Sequence, residues 1–118
     1  MPDVISNTIE SFSKQLKKVL GNKLSQIILY GSYARGDYRE NSDVDIMILV
    51  TLSDKEIKYI ENDIYDLAFD IELETGISIS PIIKNEENYA YWIDTLPFYI
   101  NVRNEGVVIN GWQKVGFK

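Results

Sequence analysis

Two short groups of residues in this chain have types and spacing suited to chemistry. Gly31-Ser32 closes one apolar run, and after ten intervening residues Asp43-Val44-Asp45 opens another. A strand places residues i and i+2 on one face. Asp43 and Asp45 should therefore project together, while Val44 and Ile46 point to the interior on the other side. Two carboxylates side by side repel, and burying either one unpaired is costly. A divalent cation removes the conflict: Mg²⁺ takes hard oxygen ligands, commonly one or two carboxylates together with the phosphates of a substrate. The Gly-Ser group supplies a complementary half. Gly31 lets the backbone turn tightly and approach a ligand, and Ser32 with the amides that follow can donate to phosphate oxygens. Arg35 either adds charge near that phosphate or braces the loop. Gly-Ser alone is usually a turn, and Asp-x-Asp alone is usually a solvated strand end. On average composition the joint pattern arises about once in a thousand chains of this length, so the two halves are read together.

The rest of the composition narrows the chemistry. The chain has 118 residues, enough for one modest core, and contains neither Cys nor His. That excludes disulfides, thiol nucleophiles, Ser-His-Asp triads and His- or Cys-ligated zinc. Carboxylates, hydroxyls, Lys, Arg, backbone dipoles or a bound cation must carry any catalysis. A net charge of −6 and a pI near 4.6 argue against a nucleic-acid binder working through a basic patch. The start MPDVISNTIESF has no basic and apolar leader pattern, and no apolar run approaches bilayer length. A cytoplasmic protein without membrane contact is the expectation.

Regular elements must position the two groups. Val4, Ile5, Ile9, Phe12, Leu16, Val19 and Leu20 recur at helical steps, and Gly21-Asn22 supplies a stop. Residues 24–30 read as a strand ended by Gly31, and 43–50 as a second strand, apolar on both faces beyond Asp45, as a central strand is. Ser53 followed by Glu56 has the form of a capping box, opening a long helix through Ile57, Ile60, Ile64, Leu67, Ala68 and Ile71 to Thr75-Gly76. A third strand is expected over 77–83, with Pro81 marking an edge or a bulge. Short helices around 86–93 and 97–103 and a small strand at 107–109 complete the reading. The fold class is α/β or α+β, with one small sheet. The aromatic stretch NYAYWIDTLPFYI is expected to serve mainly as core, and Trp112 and Phe117 would form a docking feature if their tail is exposed.

The segment GSYARG followed by SDVDIMI resembles the signature of the DNA polymerase β-like nucleotidyltransferase superfamily, and in its fuller form the minimal nucleotidyltransferases. The ending LPFYINVRNEGVVI resembles the C-terminal part of the same proteins. The resemblance implies one minimal nucleotidyltransferase domain over 1–118, with a small mixed sheet and helices mainly on one face. It implies transfer of a nucleoside monophosphate from an NTP (AMP from ATP is the favoured case) with Mg²⁺. Asp43 and Asp45 would hold the metal, and Gly31 and Ser32, with Arg35 beside them, would bind the triphosphate. It further implies a protein acceptor and the role of antitoxin beside a HEPN-type helical toxin.

One departure stands out. The family carries a third carboxylate on the strand after the long helix, where this chain has only Ser78 and Ser80 on the polar face. Asp37 and Glu40 are possible substitutes, whereas Asp70, Glu72 and Glu74 read as the solvated end of the long helix. The alternative is therefore a catalytically weak or inactive nucleotide-binding module that neutralises a partner by direct binding.

Overall fold

The computed structural model describes residues 1–109, so Trp112 and Phe117 lie outside the described residues. The first helix, α1, runs Asp3–Leu20 and ends at Gly21, whose φ of 55° is left-handed. It buries Ile5, Ile9, Phe12, Leu16 and Leu20, but Val4 and Val19 of the expected stripe face solvent. Thr8 and Ser13 take buried places instead, because their hydroxyls bond back to the carbonyls of Val4 and Ile9 and so carry no unpaired polar group inside.

Strand β1 (Leu24–Tyr30) leads through Gly31 into α2 (Ser32–Arg35), a single helical turn that carries the amides after Ser32. Strand β2 (Val44–Val50) returns antiparallel to β1, with Tyr30 opposite Asp45 and Ile28 opposite Met47. Helix α3 (Asp54–Thr75) opens with the expected capping box: the Glu56 amide donates to Ser53 Oγ and the Ser53 amide donates to Glu56 Oε1. It ends at Gly76, left-handed at φ 79°.

Strand β3 occupies Ile79–Asn85 rather than 77–83. The Ile77 amide is held by Thr75 Oγ1 at the helix end, and pairing begins only where Ile79 meets Val44. β3 is parallel to β2 and lies at the sheet edge, which tolerates Pro81. Helices α4 (Glu86–Trp92) and α5 (Pro97–Glu105) and the two-residue strand β4 (Val107–Val108) follow. The sheet is mixed, in the order β3-β2-β1-β4.

Alternation along the strands makes two cores. Ile27, Leu29, Val44, Ile46, Ile48 and Val50 meet α1 and α3 on one face. Ile28, Tyr30, Met47 and Leu49 meet Tyr89, Tyr99 and Val102 of α4 and α5 on the other. The long helices thus share one face, as expected, and the short pair covers less of the second. The aromatic stretch divides between roles: Tyr89 and Tyr99 are core, while Tyr91, Trp92, Leu96 and Phe98 are exposed. No helix among the described residues is long and apolar enough to cross a membrane. Ile46 is fully buried in the larger core, so Ile46→Ala should cost about 2–5 kcal/mol in urea-induced unfolding, with little change in the denaturant slope.

Candidate active site

The site forms where β1 and β2 end together. Asp45 points to the face of Met47 and Leu49, but at the strand end, where α4 and α5 leave it half-buried. Asp43 precedes the strand and is exposed. On the partner strand Gly31 turns away at φ 78° and ψ −157°, the left-handed side that glycine enters without steric penalty. Its missing side chain matters twice over. A Cβ at Gly31 would overlap Oδ2 of Asp45 and lie 3.1 Å from its Cγ. The glycine and the aspartate are therefore packed against each other, which is the physical reason these two residue types belong together.

The ten-residue spacer is a closed structure. The Ala34 and Arg35 amides donate to the Gly31 carbonyl, and the Gly36 amide to that of Ser32. Tyr33 and Tyr38 stack with centroids 4.5 Å apart. Arg35 Nε donates to Asp37 at 3.2 Å, and Arg35 Nη1 donates to both oxygens of Glu105 at 3.2 Å. Of the two roles open to Arg35, the bracing contacts are thus present. Glu105 also accepts the Gly31 amide at 2.8 Å. It is the one residue of the cluster that sequence reasoning missed. The segment RNEGVV was visible as a family-like ending, but nothing local ties its acid to a turn 74 positions earlier.

Charge is unbalanced here. Burial first, then Asp43, then more distantly Glu105, hold the Asp45 carboxyl above the ordinary aspartate range, while Arg35 pulls it down. Burial, Asp45 and Glu105 push the Tyr30 phenol up to about 12, so it stays neutral, its ring set edge-on to Phe98 at 5.6 Å. Hard oxygen donors crowded enough to resist ionisation suit a divalent cation that also draws ligands from phosphates and water. Among the described residues no group of three acidic side chains could enclose a metal unaided. Ser80, in register with Asp45 on β3, is only partly buried and adds no acid. Of the possible substitutes, Asp37 is exposed and paired with Arg35, and Glu40 is exposed; Asp70, Glu72 and Glu74 are exposed on α3, as expected of a solvated helix end.

A mixed sheet of this order, with a Gly-Ser turn against an Asp-Val-Asp strand end, defines a protein of the nucleotidyl-transferring class. Within that class the match is specific: the profile of the nucleotidyltransferase domain family covers residues 9–111, and the chain belongs to this family. A relative from Methanocaldococcus jannaschii, provisionally named a protein adenylyltransferase, is 40% identical over 99 residues, covering 80% of this chain and 94% of its own. A second of the same name and organism is 38% identical over 101 residues, covering 86% and 93%. The fold is similar to a crystal structure of a toxin-antitoxin with AMP-PNP, at a TM-score of 0.54 and 21% identity, over 93% of this chain and 76% of that one. The chain is a nucleotidyltransferase.

Two outcomes follow. Gly31→Ala should destabilise the wild-type background by about 1 kcal/mol or more beyond its effect in an Asp45→Ala background, because only the first retains the overlap; a double-mutant cycle in urea reads the difference. Asp45 binds its proton more tightly folded than unfolded. Its ionisation therefore subtracts stability as pH rises through the raised pKa, and the loss is absent in acid, below the unfolded value. Asp45→Asn should accordingly melt above wild type at neutral pH without divalent cation, with the gap closing as pH falls through that window.

Proposed function

We propose that the chain transfers AMP from ATP, with Mg²⁺, to a hydroxyl of a protein acceptor, as the neutralising member of a pair with a helical HEPN-type toxin. The observation that carries this reading is the packing of Asp45 against Gly31, which joins the two halves of the motif at one strand end. The names of the archaeal relatives, which specify adenylyl transfer to protein, support AMP and a protein acceptor. The toxin-antitoxin neighbours share only the fold, and they make a partner in trans the natural source of the acceptor.

In this reading Asp43 and Asp45 hold the cation, which when bound neutralises the polyphosphate and polarises the α-phosphorus. Ser32 donates its hydroxyl to a phosphate oxygen. Gly31, lacking a side chain, keeps the turn close to Asp45 and open to the nucleotide. Arg35 contributes positive charge from its braced position. The acceptor oxygen bonds to the α-phosphorus, the bond from that phosphorus to the bridging oxygen breaks, pyrophosphate leaves, and the hydroxyl proton passes to solvent. Positioning and charge neutralisation suffice for such a transfer, so a chain without His can perform it.

Ser80 beside Asp45, where the family resemblance calls for an acid, favours a second reading. In it the domain binds nucleotide and masks its partner without turnover. Intact-mass spectrometry after co-expression with the genomic neighbour, with Mg²⁺ and ATP added, separates the two. A nucleotidyl-sized gain on the neighbour, lost in Asp43→Asn/Asp45→Asn, is the expected result; a stable complex without mass gain would leave the masking module.

A further inference from the structure

We propose that Glu105 is a positioning residue of the transfer site: by accepting the Gly31 amide and the Arg35 guanidinium, it holds the Gly31-Ser32 turn in the shape that receives the nucleotide. The inference rests on the nucleotidyl-transfer reading above and adds to it a residue outside both motif halves.

Strand register delivers Glu105 to this place. β4 pairs antiparallel with β1, Val108 opposite Ile28 and Val107 opposite Leu29. Carrying that register two residues further brings Glu105 opposite Gly31. The ladder stops there, and a side-chain carboxylate takes over from a backbone carbonyl. Gly106 makes the approach possible: a Cβ on it would run into the Val102 carbonyl and into Cγ2 of Ile28. The end of α5 can therefore lie directly on β1 only with glycine at this position.

The contact has specific work to do. Gly31 is buried and its amide has left the β1–β2 ladder, so without Glu105 it would lack a partner, a costly state for a buried N–H. The Glu105 side chain is only 21% exposed, and it meets both the amide and the guanidinium. Arg35 in turn holds Asp37, so one carboxylate fixes the turn, the helical segment after it and the start of the spacer. A neutral acceptor would satisfy the amide while lowering the negative charge beside Asp45. The carboxylate's additional contribution is its hold on Arg35.

Crossed variants test this. Glu105→Gln keeps the reach and an acceptor oxygen for the amide, and loses the charge and one of the two oxygens that hold Arg35. Glu105→Asp keeps the charge but is one methylene too short. Calorimetric titration with Mg-ATP, alongside thermal melting of each variant, is the measurement. Positioning predicts about tenfold or greater loss of affinity in Glu105→Asp, since an unpartnered buried donor costs about 1–3 kcal/mol, and about threefold in Glu105→Gln. These losses should appear at temperatures where both variants remain folded. The opposite order, with Asp tolerated and Gln not, would make the charge itself the function and overturn the proposal. Equal affinity in all three proteins would overturn it as well, leaving Glu105 a purely structural tie. If the wild-type chain binds no Mg-ATP, the nucleotidyl-transfer reading fails first, and this inference falls with it.

Discussion

The pairing of Tyr30 with Asp45 across two antiparallel strands is the constraint on which the rest of this structure depends. It sets a glycine against a carboxylate at the open end of the sheet. It also sorts every other residue of β1 and β2 between two cores. A slip of one residue would drive Asp45 into the layer of Ile27, Leu29, Ile46 and Ile48 and expose apolar side chains in its place. The hydrophobic alternation that drives folding is therefore also the device that aims the Asp45 carboxylate. Stability and site geometry have the same physical origin.

Electrostatics run the other way. Asp37 and Glu105 pair with one guanidinium, Asp43 and Glu105 act on Asp45, and burial makes ionisation of Asp45 harder still. A fold selected only for stability would place an apolar or neutral residue at this strand end. The chain keeps an acid whose charge is unfavourable in this setting, and in the proposed function a bound cation would relieve it, the usual relation between a functional site and the scaffold that tolerates it. The surrounding ties offset this strain locally: the capping of α2 by the Gly31 carbonyl, the Tyr33–Tyr38 stack and the Arg35 contacts all restrain the spacer.

The second face of the sheet binds the distal part of the chain into the site. Tyr99 and Val102 anchor α5 on Ile28 and Met47, and β4 locks its end to β1. The short helices complete a core and also bring residues 98–105 alongside the motif. Phe98, exposed beside Tyr30, and Glu105, bonded to Gly31, both arrive by this route. A domain this small has few elements to spare, so its last helix serves both packing and site geometry.

What the sequence by itself determined is the local and the periodic. The strands ending at Tyr30 and beginning near Asp45, the capping box at Ser53 and Glu56, the left-handed stop at Gly76 and the mixed fold class all follow from short-range chemistry and hydrophobic period. Where helical spacing alone misled, as at Val4 and Val19, those positions lie at the margin of the apolar stripe and face water. The start of β3 shifted because a threonine side chain holds the Ile77 amide in the helix terminus. Tertiary structure alone decided the contact of Gly31 with Asp45, the two-carboxylate grip on Arg35 and the arrival of Glu105. These depend on strand register and on a glycine that lets α5 lie against β1; the alternation favours the register, but which distant residues it sets side by side is decided only when the strands meet in the sheet.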